Sequence, residues 1–458
     1  MLQSIKRFAL MLGMMIVLAA LAVPVFAQDE PIDVPVWIAF TDYRLNWARE
    51  RAAEFNEMFP QYNVTIEGYD SYETIFSSAN LAFEQGTQPA IVQYFEAATQ
   101  DARDANFNGT PFFKAIEEAI AGREEINGLP VVLDDYVAPV VSYYSLDGQF
   151  TSMPWNTSSA IMFVNQTMLD AAGVEAIPAT WEEVEAACAL IMGMEGAPAN
   201  CITWLDHGWF FEQSLAQQGA DLVNNGNGRE ARATETLIAS DAAVNYVQWW
   251  KDMQDAGYYI YTGVQLDWTG TYNAFIAQDV AMLIYSSSDT TALTNDGEAA
   301  GFEVVAAPMP YNQETGYVGN LIGGASLWLS NGLSPEVEDG ALSFLLYFTN
   351  SENAADWHKV TGYIPITNSA IALLEEEGWF DENPNSRVAG DQLAASEQTT
   401  ATAGALVGAF PAIRTAVTDA IEDVLVNGTD VTEALTAAQE EANGILEEYN
   451  LLNAPEAE

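Results

Sequence analysis

Hydrophobic positions recur along this chain in two alternating rhythms. Val34–Phe40, Asn63–Gly68 and Ala90–Phe95 predict strands. Between the first two, Leu45, Ala48, Ala52, Phe55 and Met58 share one helical stripe. Thr180-Trp-Glu-Glu183 is a capping box that predicts a helix start. Val280–Tyr285 and Phe302–Ala307 predict two more strands. Gly319–Ser330 reads as a buried strand that opens on a Gly-Gly step. A helix starts at Ser351 and meets stop signals at Gly362 and Pro365. Asp430 caps a last helix with Ala434, Ala438, Ala442, Ile445 and Tyr449 on one face. Strands alternating with helices predict an α/β architecture, and no internal repeat or long low-complexity linker interrupts it.

The N-terminal pattern differs. Lys6 and Arg7 precede an uncharged apolar run from Phe8 to Phe26, and Val25-Phe26-Ala27 is a small-x-small cleavage site. Residues 1–27 therefore read as a cleaved secretory signal peptide. The alternative is an uncleaved anchor, because the run is long enough to span a bilayer. The expected location is periplasmic or extracellular. In an oxidising compartment the only two cysteines, Cys188 and Cys201, could close a short loop, or they remain two buried free thiols.

Charge narrows the partners. With 14 Lys plus Arg and a formal net charge of −51 over 458 residues, the chain lacks the clustered cations that nucleic acid or an anionic membrane requires. Nearly half its residues are hydrophobic, which allows a large core of two or three domains. The catalytic inventory is poor. There is no Gly-x-Ser-x-Gly elbow, no His-Glu-x-x-His and no phosphate-cradling Gly-x-x-x-x-Gly-Lys. His207 and His358 are far apart, and His358, beside Trp357, reads as structural. No cofactor, metal or catalytic residue is expected. The aromatic content of 11% fits a binding cleft better than an active site.

Several motifs resemble one family. Met153-Pro-Trp-Asn-Thr-Ser-Ser159, Ala281-Met282, Ile322–Trp328 and above all Ala354-Ala-Asp-Trp-His through Ile366-Thr367 are similar to the extracytoplasmic solute-binding proteins of ABC importers, especially the glycerol-3-phosphate-binding proteins. The resemblance runs from about Val34 to Tyr449. It implies a two-lobed α/β fold of the periplasmic-binding-protein type (class II), with the ligand cleft between lobes and a hinge crossed several times. The implied division is 28–155 with 319–372 for lobe 1, and 156–318 with 373–458 for lobe 2.

The resemblance also implies ligand residues: Tyr72, Glu96, Ser158, Ser286, Gly324, Tyr363 and Arg414. Arg414 would clamp a phosphate. Ser158 and Ser286 would donate hydroxyl bonds, Gly324 would offer bare backbone, and Glu96 would accept from glycerol hydroxyls. Tyr72 and Tyr363 would supply ring faces with polar tips. Each has a plainer reading. Arg414 could be a salt bridge, Gly324 a close strand approach, Tyr72 and Ser286 packing. One departure stands out: where relatives place a stacking Trp, this chain reads Trp204-Leu-Asp-His-Gly-Trp209. Leu205 or Asp206 at that position would open the pocket to a glycerophosphodiester.

The implied function is capture of sn-glycerol 3-phosphate or a glycerophosphodiester by a monomeric, non-enzymatic protein and delivery to the transmembrane subunits of an ABC importer. The alternatives are an oligosaccharide-binding protein and, from another class, an extracellular hydrolase of glycerophosphodiesters or glycans.

Overall fold

The structure is a computed structural model that describes residues 30–146 and 148–453. The signal-peptide reading lies outside the described residues.

The strands that frame the site are β1 (Ile32–Ile38), β2 (Tyr62–Gly68), β3 (Ile91–Phe95), β4 (Met153–Ser158), β5 (Ala160–Asn165), β6 (Ile202–Thr203), β7 (Met282–Ser286), β8 (Val304–Pro308) and β9 (Gly323–Ser330). The helices used below are α1 (Tyr43–Met58), α2 (Tyr72–Gln85), α3 (Trp181–Gly193), α4 (Gly208–Gln217), α5 (Ser351–Thr361), α6 (Phe410–Glu422) and α7 (Val431–Asn453). Two sheets result. The first runs β4-β9-β3-β1-β2, with the short Phe113–Lys114 strand added on β9. The second runs β6-β7-β5-β8. Helices pack around each sheet, so the protein has two lobes with a cleft between them.

Local chemistry explains the elements. Asp42 caps α1 by accepting from the Arg44 N–H, and Leu45, Ala48, Ala52 and Phe55 are buried beneath it. Met58, the last residue of the predicted stripe, is exposed because the helix ends there. Thr180 caps α3 as predicted, accepting from the Glu183 N–H. Gly362 ends α5 at φ +102°, a left-handed conformation that favours glycine.

The chain passes between the sheets at Ser158–Ala160. Pairing of β4 with β9 continues to Ser158 opposite Gly323, past the boundary expected at 155. The chain returns between Pro308 and Gly323, and crosses again between the Asn368–Glu376 helix and Asn385, whose side chain bonds to β8. Ser159, at the first passage, is tied to the second by donating to the Leu321 carbonyl and accepting from Gln392.

Cys188 and Cys201 form a disulfide, with Cα atoms 5.4 Å apart, joining α3 to the edge of β6. Both residues are fully buried. A bridge over so short a loop contributes about 3 kcal/mol in the chain-entropy account. The double Cys→Ser variant is expected to lose about 2–4 kcal/mol of unfolding free energy in a urea titration. An unchanged midpoint would contradict this.

Candidate ligand site between the two lobes

In open sheets containing parallel strands, ligands bind beyond the carboxyl ends of the strands. The first lobe follows that rule. β1 ends before Arg44, β2 before Tyr72, and β3 before Glu96, which opens a short 3-10 turn. Tyr72 begins α2 immediately after its cap, Ser71. Its ring lies parallel to Phe95, 5.2 Å away, and its hydroxyl accepts from Asn156 Nδ2 at 2.8 Å. Asn156 Oδ1 accepts from Gln93 Nε2 at 2.8 Å, and Gln93 Oε1 accepts from the Ala39 N–H. This buried chain of amides fixes the Tyr72 hydroxyl without a charged group.

Gly324 pairs with Thr157 across β4 and β9. Its φ is +100°, and a Cβ there would stand 1.8 Å from the Asn156 carbonyl oxygen. The close-approach reading of Gly324 is therefore met, whatever a ligand does. Tyr363 follows the turn that ends α5 and stacks on Trp357 at 5.5 Å. His358 Nδ1 lies 2.7 Å from the Tyr363 carbonyl oxygen, and burial pushes its imidazole down to about 4. That supports the structural reading of His358.

The second lobe supplies Arg414 from α6. Its fork is taken up by two carboxylates. Nε and Nη2 donate to Glu212 at 2.7 and 2.9 Å, and Nη2 donates to Glu96 at 2.7 Å. All three side chains are under a tenth exposed. The pair of acids outnumbers the cation, leaving a net negative triad that spans both lobes. The expected phosphate clamp is thus also the expected salt bridge, with only Nη1 free of a hydrogen bond among the described residues. Burial raises the Glu212 carboxyl more than Arg414 lowers it. Gly208 lets this happen: a Cβ there would meet Arg414 Cγ at 2.8 Å. His207, beside it, caps α4 by accepting from the Trp209 N–H at Nδ1, and burial and then Arg414 push it down to about 3.

The remaining hydroxyls sit where the sheets meet. Ser158, 4% exposed, ends β4, and its Oγ has no hydrogen bond among the described residues. Ser286 ends β7 opposite Ala160, and its Oγ accepts from the Ser288 N–H at 3.2 Å. The Trp204–Trp209 segment divides. Trp204 stacks on Trp249 at 5.1 Å and packs on Tyr259 at 4.4 Å, inside the second-lobe core. Leu205 and Asp206 are buried with it. Trp209 covers Gly323, where a Cβ would stand 2.4 Å from its ring.

The expected residues therefore gather around the junction of the sheets: Tyr72, Glu96, Ser158, Gly324 and Tyr363 from one lobe, Ser286 and Arg414 from the other. Sequence reasoning missed Asn156, Glu212 and Arg44. Glu212 had a signal, as a charge in the otherwise uncharged run Trp209–Gln217. Arg44 had the same scarcity that singled out Arg414. Among the described residues there is no cluster of His, Cys, Asp or Glu that could hold a metal.

A family model described as bacterial extracellular solute-binding protein matches residues 50–387. The chain belongs to that family. It is the solute-binding component of an importer, and no helix among the described residues is long and apolar enough to cross a membrane. The sn-glycerol-3-phosphate-binding periplasmic protein UgpB of Salmonella paratyphi A is 28% identical over 423 residues, covering 91% of this chain and 93% of that protein. UgpB of Escherichia coli K12 is also 28% identical, with the same coverage. The fold superposes on UgpB from Mycobacterium tuberculosis in complex with glycerophosphocholine, with a TM-score of 0.74 and 21% identity over 91% of this chain and 98% of that one. It superposes comparably on the GacH receptor of Streptomyces glaucescens, solved with acarbose, with a TM-score of 0.72 and 18% identity over 92% and 99%.

Proposed function

We propose that this protein captures a glycerol phosphate, either sn-glycerol 3-phosphate or a glycerophosphodiester, outside the membrane and delivers it to the transmembrane subunits of an ABC importer. It acts by binding alone, as a monomer. The observation that carries the reading is the convergence of residues from both lobes on one cleft. The UgpB relatives and the M. tuberculosis UgpB structure, by what their names say they bind, favour a glycerol phosphate among possible solutes.

Roles follow from local charge. The glycerol end suits the triad, where Glu96 accepts from hydroxyls and Arg414 Nη1 donates. The phosphate suits the hydroxyls of Ser158, Ser286, Tyr72 and Tyr363, beside the bare backbone of Gly324. A ligand held by both lobes binds the closed form better than the open one, and that difference drives closure. The passages near residues 159, 308–323 and 376–385 are the hinge. Direct bridges between the lobes add to closure: Glu96 to Arg414, and Asp104, which pairs with Arg232 at 2.8 Å and accepts from Tyr449 at 2.9 Å.

One observation favours a second reading. An Arg414 already matched by two carboxylates also suits a neutral oligosaccharide. Calorimetric titration with sn-glycerol 3-phosphate, glycerophosphocholine and maltotriose separates the two. Saturable binding of a phosphate ligand is expected. Heat from maltotriose alone would overturn the proposal.

A further inference from the structure

Away from the ligand cleft, the second lobe carries a turn with an unusual backbone. Asn225, Gly226, Asn227 and Gly228 are all left-handed, with φ of 57°, 60°, 59° and 76°. L residues enter that region singly and not in runs. Packing holds the turn there. Asn227 Oδ1 accepts from the Leu222 and Val223 N–H groups at 3.0 and 3.3 Å. A Cβ on Gly228 would stand 2.0 Å from the Leu406 carbonyl oxygen. Asn225 Nδ2 donates to the Arg232 carbonyl at 2.8 Å. Backbone strain of this kind collects where side chains must be aimed. This turn sets the direction of Arg229 and Arg232.

Both arginines line a groove of about 790 Å³ between the lobes. Gln100, Arg103 and Asn106 line it from lobe 1, and Gly228, Arg229 and Arg232 from lobe 2. Arg232 is matched by Asp104, which accepts from it at 2.8 and 3.3 Å. Asp104 also accepts from the Tyr449 hydroxyl and from Gln100 Nε2, both at 2.9 Å, so its oxygens are taken. Arg229 is held differently. Nε donates to the Gly404 carbonyl at 2.6 Å, Nη2 to the Ala403 carbonyl at 2.7 Å and Nη1 to the Ser142 carbonyl at 3.3 Å. Two of its five N–H donors stay free, and it makes no ion pair among the described residues. The other acid of the lining, Glu230, is exposed, and its carboxyl carbon would stand 2.7 Å from a Cβ on Gly226.

A cation withdrawn from water is normally paired. Acids outnumber Lys plus Arg by 65 to 14 in this chain, so Arg229 does not lack a carboxylate for want of supply. Its carbonyl partners solvate the charge without cancelling it. Burial weakens its hold on its proton, Tyr143 restores part of that, and the charge of Arg103 takes more. Tyr143 also divides the groove from the ligand cleft. Its ring centre lies 4.8 Å from the Arg229 guanidinium, and its hydroxyl donates to the Glu96 carbonyl at 3.0 Å. We propose that the groove is a second binding site, for a tetrahedral oxyanion such as phosphate or sulfate, held by Arg229 from lobe 2 and Arg103 from lobe 1. An anion that touches both lobes stabilises the closed form. The groove is therefore an effector site for solute capture at the cleft.

The test titrates inorganic phosphate, and separately sulfate, into the protein carrying Ser158→Ala and Ser286→Ala, which removes proposed phosphate contacts of the cleft. Sodium chloride holds the ionic strength constant. Saturable binding is expected. Adding Arg229→Gln or Arg103→Gln should weaken it at least about tenfold, with Arg229→Lys recovering part of the loss. Binding of both anions marks a general oxyanion site, and binding of one alone names the anion. Glycerophosphocholine titrated in chloride should bind wild type and Arg229→Gln equally, which checks the fold. In phosphate the wild type should bind it several-fold tighter than Arg229→Gln, since competition at the cleft is common to both and cancels. No anion binding to the double serine variant, or binding unchanged by both arginine replacements, overturns the site. Equal affinities of the two proteins in phosphate overturn its effector role. A wild type that does not bind glycerophosphocholine overturns the glycerol-phosphate reading and leaves the anion titration to judge this one.

Discussion

Replacing Arg414 with alanine is expected to abolish ligand binding and to cost the fold about 3–5 kcal/mol. The loss comes from what stays behind. Glu96 and Glu212, each with a side chain 6% exposed, would face each other with no cation between them. Breaking a buried ion cluster by removing one partner costs far more than the cluster contributes, because the orphaned charge keeps its desolvation penalty. The pH dependence separates this cause from simple loss of packing. The Glu212 carboxyl is already raised by burial in the presence of Arg414. A carboxyl raised above its unfolded value contributes stability that is complete below that unfolded value and is lost as pH rises through the folded one. Without Arg414 the folded value rises further, so the deficit of the variant should be largest at pH 8 and shrink toward pH 5. Guanidinium titrations at both pH values measure it. Glu212→Gln, which keeps the Arg414–Glu96 bond, should be far milder. A deficit equal at both pH values would mean the acids are not desolvated as the geometry implies.

The triad also shows where sequence reasoning reached and where it stopped. The strands and helices were legible because their apolar periods are local. β1, α1, β3 and α7 lie within a few residues of the positions that the pattern predicts. The Thr180 cap and the Gly362 stop were legible for the same reason, as single-residue chemistry. Pairing was not. Nothing within the segment Met153–Ser159 reveals that β4 runs against β9 as far as Ser158, because that register is set by residues 323–327. The site was legible only through resemblance, which carries residues one at a time and says nothing of what else surrounds them. Glu212 lies 202 positions from Arg414, and Glu96 lies 318 positions from it. Such partners meet only once distant segments fold together, Glu212 with Arg414 inside the second lobe and Glu96 with Arg414 between the lobes. Their omission changes the chemistry, since Arg414 alone reads as a phosphate clamp and Arg414 with two acids does not.

Asp206→Asn is expected to gain stability relative to the wild type as pH rises from 5 to 8. Asp206 is 1% exposed, and neither of its carboxylate oxygens has a hydrogen-bond partner among the described residues. It sits between Trp204 and His207, with Leu266 donating its N–H to the Asp206 backbone carbonyl. Burial, then Glu422 and Asp419, push its carboxyl up to about 8. No cation offsets them, and the other groups coupled to it are the phenols of Tyr246, Tyr259 and Tyr261. The native state therefore holds a proton on Asp206 that the unfolded chain releases near pH 4. Stability from this group is complete below pH 4 and drains away as pH rises to about 8. Between pH 5 and pH 8 the loss is at most about 4 kcal/mol. Asparagine keeps the shape and cannot ionise, so the difference between variant and wild type should grow with pH across that window and level off above it. Paired urea titrations at pH 5, 6.5 and 8 give that difference directly, free of every other titrating group. A difference that stays flat would mean water or a shifted neighbour reaches Asp206. A rising one would mean that alkaline conditions loosen the segment that leads into His207 and Gly208, on which Arg414 packs, and so weaken the ligand cleft before the fold as a whole gives way.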